Sequence, residues 1–377
     1  MALGIFRDMP VPWRILMDET APKPRKGMPD PKLDRAEFRR RFLAPYQDPA
    51  FKGLGAELEK VAAAAWDGYA NHRKSPITRK AGPAFADPHY DLAVDWLAAR
   101  EAIEQAQAAH DDPASPARFL LINGSSRSEH SCPGEMSKSF RLMELAREVL
   151  GAAPNTHTEV LDLSRLASEY GREIHPCKAC FSTAAPLCHW PCSCYPNYSL
   201  GQTQDWMNDI FPMWTAAHGV MIITPVNWYQ TSSPLKLMID RLVCADGGNP
   251  DPSRTHGKDA AEAKRIELAD WDYPKHLKGR LFACVVHGDT EGAENVRRGL
   301  SDWLKSMDLV PAGPAAELDR YIGYWKPYAT SHDELDADTP VQDEVRNAAK
   351  TLLEAVIQTR AGRQVAAGAD LEAPRAK

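Results

Sequence analysis

Residues 175–194, HPCKACFSTAAPLCHWPCSC, hold five of the chain's eight cysteines: Cys177, Cys180, Cys188, Cys192 and Cys194. His175 and His189 lie among them. Thiols and imidazoles at this density can ligate a metal, run thiol–disulfide chemistry or form a disulfide knot. The compartment bears on the choice. The opening MALGIFRDMPVPW has no apolar core of signal-peptide length, and no apolar run reaches the roughly 18 residues of a membrane span. The expectation is a cytoplasmic protein with no membrane partner, where disulfides are rare and clustered cysteines point to metal or redox chemistry. Thiols that only pack, with no metal, stay open beside these readings.

A second set of reactive residue types lies in three polar loops. NGSSRSEHSCPGEMSKS (residues 123–139) offers Gly124 for a tight turn, the hydroxyls of Ser125, Ser126 and Ser128, the fixed charge of Arg127, and Ser137 and Ser139 at a helix start. Free N–H groups at a helix N-terminus suit a phosphate. Neither the dinucleotide fingerprint nor the phosphate-binding P-loop is present. TPVNWYQTSSPLKLMIDR (residues 224–241) crowds flat and polar groups after Pro225, a surface for an aromatic ring. HGDTEGAEN (residues 287–295) is the third loop, with two glycines and a helix start.

Each loop follows an apolar run. RFLLING, GVMIITPV and RLFACVVHG read as buried strands, and amphipathic segments such as MSKSFRLMELAREVLG and PVQDEVRNAAKTLLEAVIQ read as helices between and after them. Continuously apolar strands alternating with helices predict a parallel sheet covered on both faces. In such a sheet ligands bind beyond the carboxyl ends of the strands, where the three loops emerge. A net charge of -6 gives no reason to expect a nucleic-acid partner. Residues 1–115 are different: a proline-rich charged arm carrying Phe6, Trp13, Phe38, Phe42, Tyr46 and Phe51, then helical patches at 55–70 and 90–110. They read as an extension packed on the main domain or on another subunit. Residues 116–360 form the main domain, residues 245–279 are a candidate lid or subunit contact within it, and 361–377 are a frayed tail.

GSSR followed by Ser137 at a helix start, together with TPVNWYQTSSPLKLMIDRL, resembles the flavodoxin-like NADPH-dependent FMN reductase family over about residues 117–330. Pro225, Ser232 or Ser233, Leu235, Lys236, Asp240 and Arg241 fall on that family's ring-loop pattern. The resemblance implies a doubly wound, five-stranded parallel sheet of order 2-1-3-4-5 with FMN across the strand ends. Ser125, Arg127 and Ser137 would hold the phosphate; Pro225, Val226, Asn227, Trp228 and Tyr229 would line the ring, joined by Gly288 and Asp289. Asn227 stands at the family's usual tyrosine position, and the phosphate loop is longer than usual.

The implied activity is transfer of electrons from NADH or NADPH through FMN to a quinone, flavin or similar acceptor, in a homodimer or homotetramer. No catalytic acid or base is required of the protein. The cysteine run partly resembles that of iron–sulfur flavoproteins. Cys177 and Cys180 are kept, Thr183 replaces the third cysteine, and Cys188 with Cys192 or Cys194 would complete a ligand set. That implies a 4Fe–4S cluster, with zinc or no metal as alternatives, and an electron carrier as the second functional reading.

Overall fold

The computed structural model describes residues 31–132, 134–288, 291–322, 326–363 and 371. The chain divides into two units: Met1–Thr78 with Asn197–Gly201, and Arg79–Pro196 with Gln202–Lys377. Residues 79–115 thus go with the larger unit.

In the smaller unit, α1 (Arg35–Leu43) is capped by the Asp34 side chain, which accepts the Glu37 N–H, and α2 (Gly55–Ala70) follows it. Aromatic rings join them. Phe38 sits 5.0 Å from Tyr69 and 5.5 Å from Trp66, while Phe42, Tyr46 and Phe51 continue the chain of ring contacts. The arm's aromatic residues therefore cover one another. Phe6 and Trp13 lie outside the described residues.

The larger unit begins within β1 (Thr78–Lys80), which pairs with β2 (Asp91–Ala93) in a two-stranded ribbon that leads into α3 (Val94–Asp111). Its main sheet is parallel. β3 (Ala117–Asn123) pairs with β4 (Thr156–Asp162) on one side and β5 (Gly219–Pro225) on the other; β5 then pairs with β6 (Leu281–Gly288). Between strands lie α4 (Lys138–Ala152), the single turn α5 (Arg165–Ser168), α6 (Met207–Ala216), α7 (Ser233–Arg241) and α8 (Ala260–Leu268). After β6 come α9 (Ala293–Ser306), β7 (Val310–Pro311), β8 (Glu317–Tyr321), α10 (Tyr328–Ala337) and α11 (Thr339–Arg360). Every residue of β6 is buried, as an inner strand with covered faces requires. One face packs α6, α7 and α9, and the other packs α4 and α11.

The sheet has six strands where the resemblance implies five. The edge beyond β6 is divided: β7 pairs with Leu281 and Phe282, and β8 pairs with residues 284–288. Pro311 and Pro314 cannot donate to a ladder, and the helical turn at 314–316 fills the break. No helix among the described residues is long and apolar enough to cross a membrane.

Because β3, β5 and β6 are adjacent and parallel, their carboxyl ends lie side by side. Gly124 fixes the first exit. Its N–H donates to the Ile223 carbonyl at 2.8 Å, and a Cβ at this position would stand 2.6 Å from the Thr224 hydroxyl. Gly124→Ala is expected to lower the unfolding free energy by about 1–3 kcal/mol, the usual cost of overpacking. Urea unfolding reads this directly, and an unchanged midpoint would contradict the close approach.

Candidate functional site

The β3 exit is built from hydrogen bonds that fold the chain back on itself. Asn123 donates to Asp162 at 2.8 Å across neighbouring strand ends and accepts the Ser125 N–H at 3.2 Å. The Ser125 hydroxyl accepts the Arg127 N–H at 3.1 Å, and the Arg127 guanidinium donates to the Cys132 carbonyl at 2.8 Å. Ser125, Ser128 and Ser137 are buried, and Ser137 caps α4 by accepting the Phe140 N–H. The first N–H groups of α4 have no partner within the helix, and its dipole puts partial positive charge there. Buried Lys138, the first residue of α4, adds a full positive charge and donates to Ser331 on α10. Positive charge at a helix N-terminus is unfavourable by itself, so this place is suited to an anion.

The β5 exit is a tight hairpin. Asn227 and Gln230 exchange two backbone hydrogen bonds, of 2.9 and 3.0 Å, leaving Trp228 and Tyr229 as the two turn residues. Both are left-handed, with φ of 47° and 63°. Such turns ordinarily use Asn or Gly, and bulky residues there store strain of about 1–3 kcal/mol each. The strain presents flat side chains outward: Trp228 is 94% exposed and Tyr229 55%. The β6 exit packs against this turn, because a Cβ on Gly292 would stand 3.1 Å from the Tyr229 Cα. Gly288, the last residue of β6, accepts the Ile322 N–H.

Ser232 joins the first two exits. It caps α7, and its hydroxyl donates to the Gly124 carbonyl. Ser125, Arg127 and Ser137 thus share one loop region, and residues 225–229 belong to the exit tied to it. Gly288 ends the next strand. Asp289 lies outside the described residues. The fit to FMN rests on the Gly124 approach, which leaves no room for a side chain between the loops, and on the anion-suited start of α4. Sequence reasoning passed over Lys138 and the Ser139–His287 hydrogen bond of 2.7 Å. A lysine opening a helix, against the dipole, was the available signal.

A cavity of about 590 Å³ lies elsewhere, along β4, α3 and α6, lined by Asp162, Arg172, Trp206 and Asp209 among others. It includes no residue of the β5 or β6 exits.

The cysteine loop follows β4. Arg241, at the end of α7, forms a bidentate, fully buried pair with Asp205, with one contact at 2.9 Å, and also donates to the His175 carbonyl. The Tyr195 ring lies 4.7 Å from that guanidinium. The four residues Cys177, Cys180, Cys188 and Cys192 are not assembled as a ligand set: among the described residues no group of three or more His, Cys, Asp or Glu is placed to hold a metal. Burial among apolar side chains pushes the Cys188 thiol up; the Cys192 thiol is pushed up by its hydrogen bond with Cys194 and then by burial, and the sulfur that Cys180 meets also belongs to Cys194. That contact, with help from the Lys258 ammonium, holds Cys180 down to about 6. Cys244 and Cys284 are buried core residues, as expected of their apolar runs.

A sequence model of the NADPH-dependent FMN reductase family matches residues 117–320, more than half of the chain. No curated protein matches. Among solved structures, RosB with a bound 8-demethyl-8-formylriboflavin-5'-phosphate intermediate is 14% identical, with 66% of this chain and 82% of that one covered and a TM-score of 0.45. An NADH:FMN oxidoreductase in its apo form is 13% identical over 66% and 90%, TM-score 0.35. An FMN-dependent NADH-azoreductase from Bacillus anthracis str. Ames Ancestor, in complex with FMN, is 12% identical over 62% and 97%, TM-score 0.35.

Burial, then the charges of Lys138 and His332, push His287 down to about 3 from an ordinary value of about 6.5. A histidine held neutral in the fold binds fewer protons than in the unfolded chain. Its stability contribution is therefore complete above about pH 6.5 and is lost as the pH falls from there toward 3. His110 and His218, each pushed down to about 4 mainly by burial, act in the same window. His287→Gln is expected to lose less unfolding free energy than the wild type between about pH 7 and about pH 5. Urea unfolding at the two pH values measures this, and equal losses would contradict the buried neutral ring.

Proposed function

The chain belongs to the NADPH-dependent FMN reductase family, an FMN-dependent NAD(P)H oxidoreductase, and we propose that its flavin rests across the exits of β3, β5 and β6. The observation that carries this reading is the joining of an anion-suited loop to an outward-facing aromatic turn through Ser232 and Gly124. In this reading Ser125, Arg127, Ser137 and the α4 N-terminus hold the phosphate. Pro225, Val226, Asn227, Trp228 and Tyr229 line the ring, with Gly288 and Asp289 beside them. When bound, FMN supplies the chemistry of accepting hydride from a reduced nicotinamide and passing electrons onward.

The chain's own tasks are then to bind, to orient and to leave one ring face open. The Ser125–Arg127 turn and the helix start neutralise phosphate charge. The strained Trp228–Tyr229 turn keeps its shape without a ligand because both flanking residues are hydrogen-bonded, so little ordering is left to the binding step. His287 remains neutral at ordinary pH with its Nε2 engaged by Ser139, which suits a positioning role for the α4 start rather than proton transfer. We assign the electron acceptor to the class of flat, electron-poor molecules, namely a quinone, free flavin or nitroaromatic, on the strength of the exposed Trp228 and Tyr229 faces.

An arginine–phosphate contact contributes about 1.5–3 kcal/mol. Arg127→Ala is accordingly expected to weaken FMN binding by about one to two orders of magnitude, measured by flavin fluorescence titration. Unchanged affinity would remove Arg127 from the phosphate site. Steady-state NADH or NADPH oxidation with a quinone, free FMN and a nitroaromatic tests the acceptor class, and turnover with none of them would contradict it.

A further inference from the structure

Within the cysteine loop the Cys194 sulfur meets those of Cys180 and Cys192. The Sγ atoms of Cys180 and Cys194 are 3.5 Å apart, though the residues are separated by fourteen positions. The loop holds them there by contacts that involve neither thiol. The Tyr195 hydroxyl, next to Cys194, donates to the Pro176 carbonyl at 2.8 Å and so clamps the two limbs together. The Tyr195 ring lies over Arg241, whose pairing with Asp205 anchors this limb to α7. On the other limb Ala179 is left-handed at φ 52°, strained for alanine, and it directly precedes Cys180. Its N–H donates to the Cys177 sulfur at 3.3 Å. Cys180 is partly exposed and Cys194 is buried. The Lys258 ammonium, bound to the Leu187 carbonyl, places positive charge near both.

We propose that Cys180 and Cys194 are a peroxide-reactive dithiol: Cys180 is the attacking sulfur, Cys194 the resolving one, and hydrogen peroxide or a small organic hydroperoxide the oxidant. In the first step the Cys180 sulfur attacks one peroxide oxygen. An S–O bond forms and the O–O bond breaks. Sulfur is oxidised to a sulfenic acid, and the departing oxygen leaves as water or an alcohol after taking up the thiol proton. In the second step the Cys194 sulfur attacks the Cys180 sulfur. The S–S bond forms, the S–O bond breaks, and the hydroxyl leaves with the Cys194 proton as water. A disulfide spans about 2.05 Å, so the sulfurs must close by roughly 1.5 Å, within reach of side-chain rotation. Cys192 also meets the Cys194 sulfur, but of the two neighbours of Cys194 only Cys180 is partly exposed and open to an oxidant from solvent. Cys188 and Cys192 are buried, and Cys177 is occupied by the Ala179 N–H. Nothing in the proposal depends on where the flavin sits.

The test uses the full chain, reduced, freed of reductant without oxygen, and treated with one equivalent of hydrogen peroxide. Remaining thiols are alkylated and the peptides mapped by mass spectrometry. The expected result is loss of two of the eight thiols and a cross-link between Cys180 and Cys194 within one chain, reversed by dithiothreitol. In Cys194→Ser the sulfenic acid should persist on Cys180 and be trapped by dimedone. A cross-link joining any other cysteines, eight unreacted thiols, or stoichiometric iron or zinc bound by the protein as purified overturns the proposal. The wild-type map decides the matter even if the variant does not fold.

Discussion

The exit of β3 is pinned by a glycine with no space around it. Gly124 sits against Thr224 and Leu235, its N–H bound to Ile223 and its carbonyl to the Ser232 hydroxyl. These contacts hold the serine- and arginine-bearing loop against the exit of β5 and the start of α7. A side chain at position 124 would push the loops apart, and the serine-rich loop and the aromatic turn would no longer share one register. The parallel order of β3, β5 and β6 brings the three exits to one edge; Gly124 sets how closely the first two meet.

α7 carries this constraint further. Ser232 anchors its first turn to Gly124, and Arg241 anchors its last to Asp205 and His175. Fully burying an ion pair is expensive in desolvation, and removing one partner typically costs about 3–5 kcal/mol because the other charge is left unpaired. The pair is geometrically well made, bidentate and covered by the Tyr195 ring. One short helix therefore fixes the β5 exit at one end and the cysteine loop at the other. The loop, which joins β4 to α6, gains from this a rigidity that its irregular backbone would not supply.

Much of this was legible in the sequence where a single force decided the structure. Continuous apolar runs made β3, β5 and β6 readable, since only strands buried on both faces look that way. The divided edge was not readable: β7 is two residues long, and the prolines that interrupt it look like any loop. The serines of the β3 exit stood out by type, whereas Lys138 did not, because its meaning depends on burial at a helix start. Trp228 and Tyr229 could be named as flat groups, but their left-handed turn runs against residue preference and is imposed by the Asn227–Gln230 pairing. The cysteine spacing suggested four ligands. The fold instead brings Cys180 to Cys194, a contact made by irregular turns that no residue spacing encodes.

The account rests on one flavin held by each chain at the joined β3 and β5 exits. Anaerobic absorption spectroscopy of the purified protein, with added FMN removed by gel filtration, tests it most directly. The account predicts about one FMN retained per chain, with oxidised flavin bands that bleach on addition of NADPH or NADH. A protein that emerges colourless, binds no FMN on titration and leaves NADPH and NADH unoxidised would contradict it.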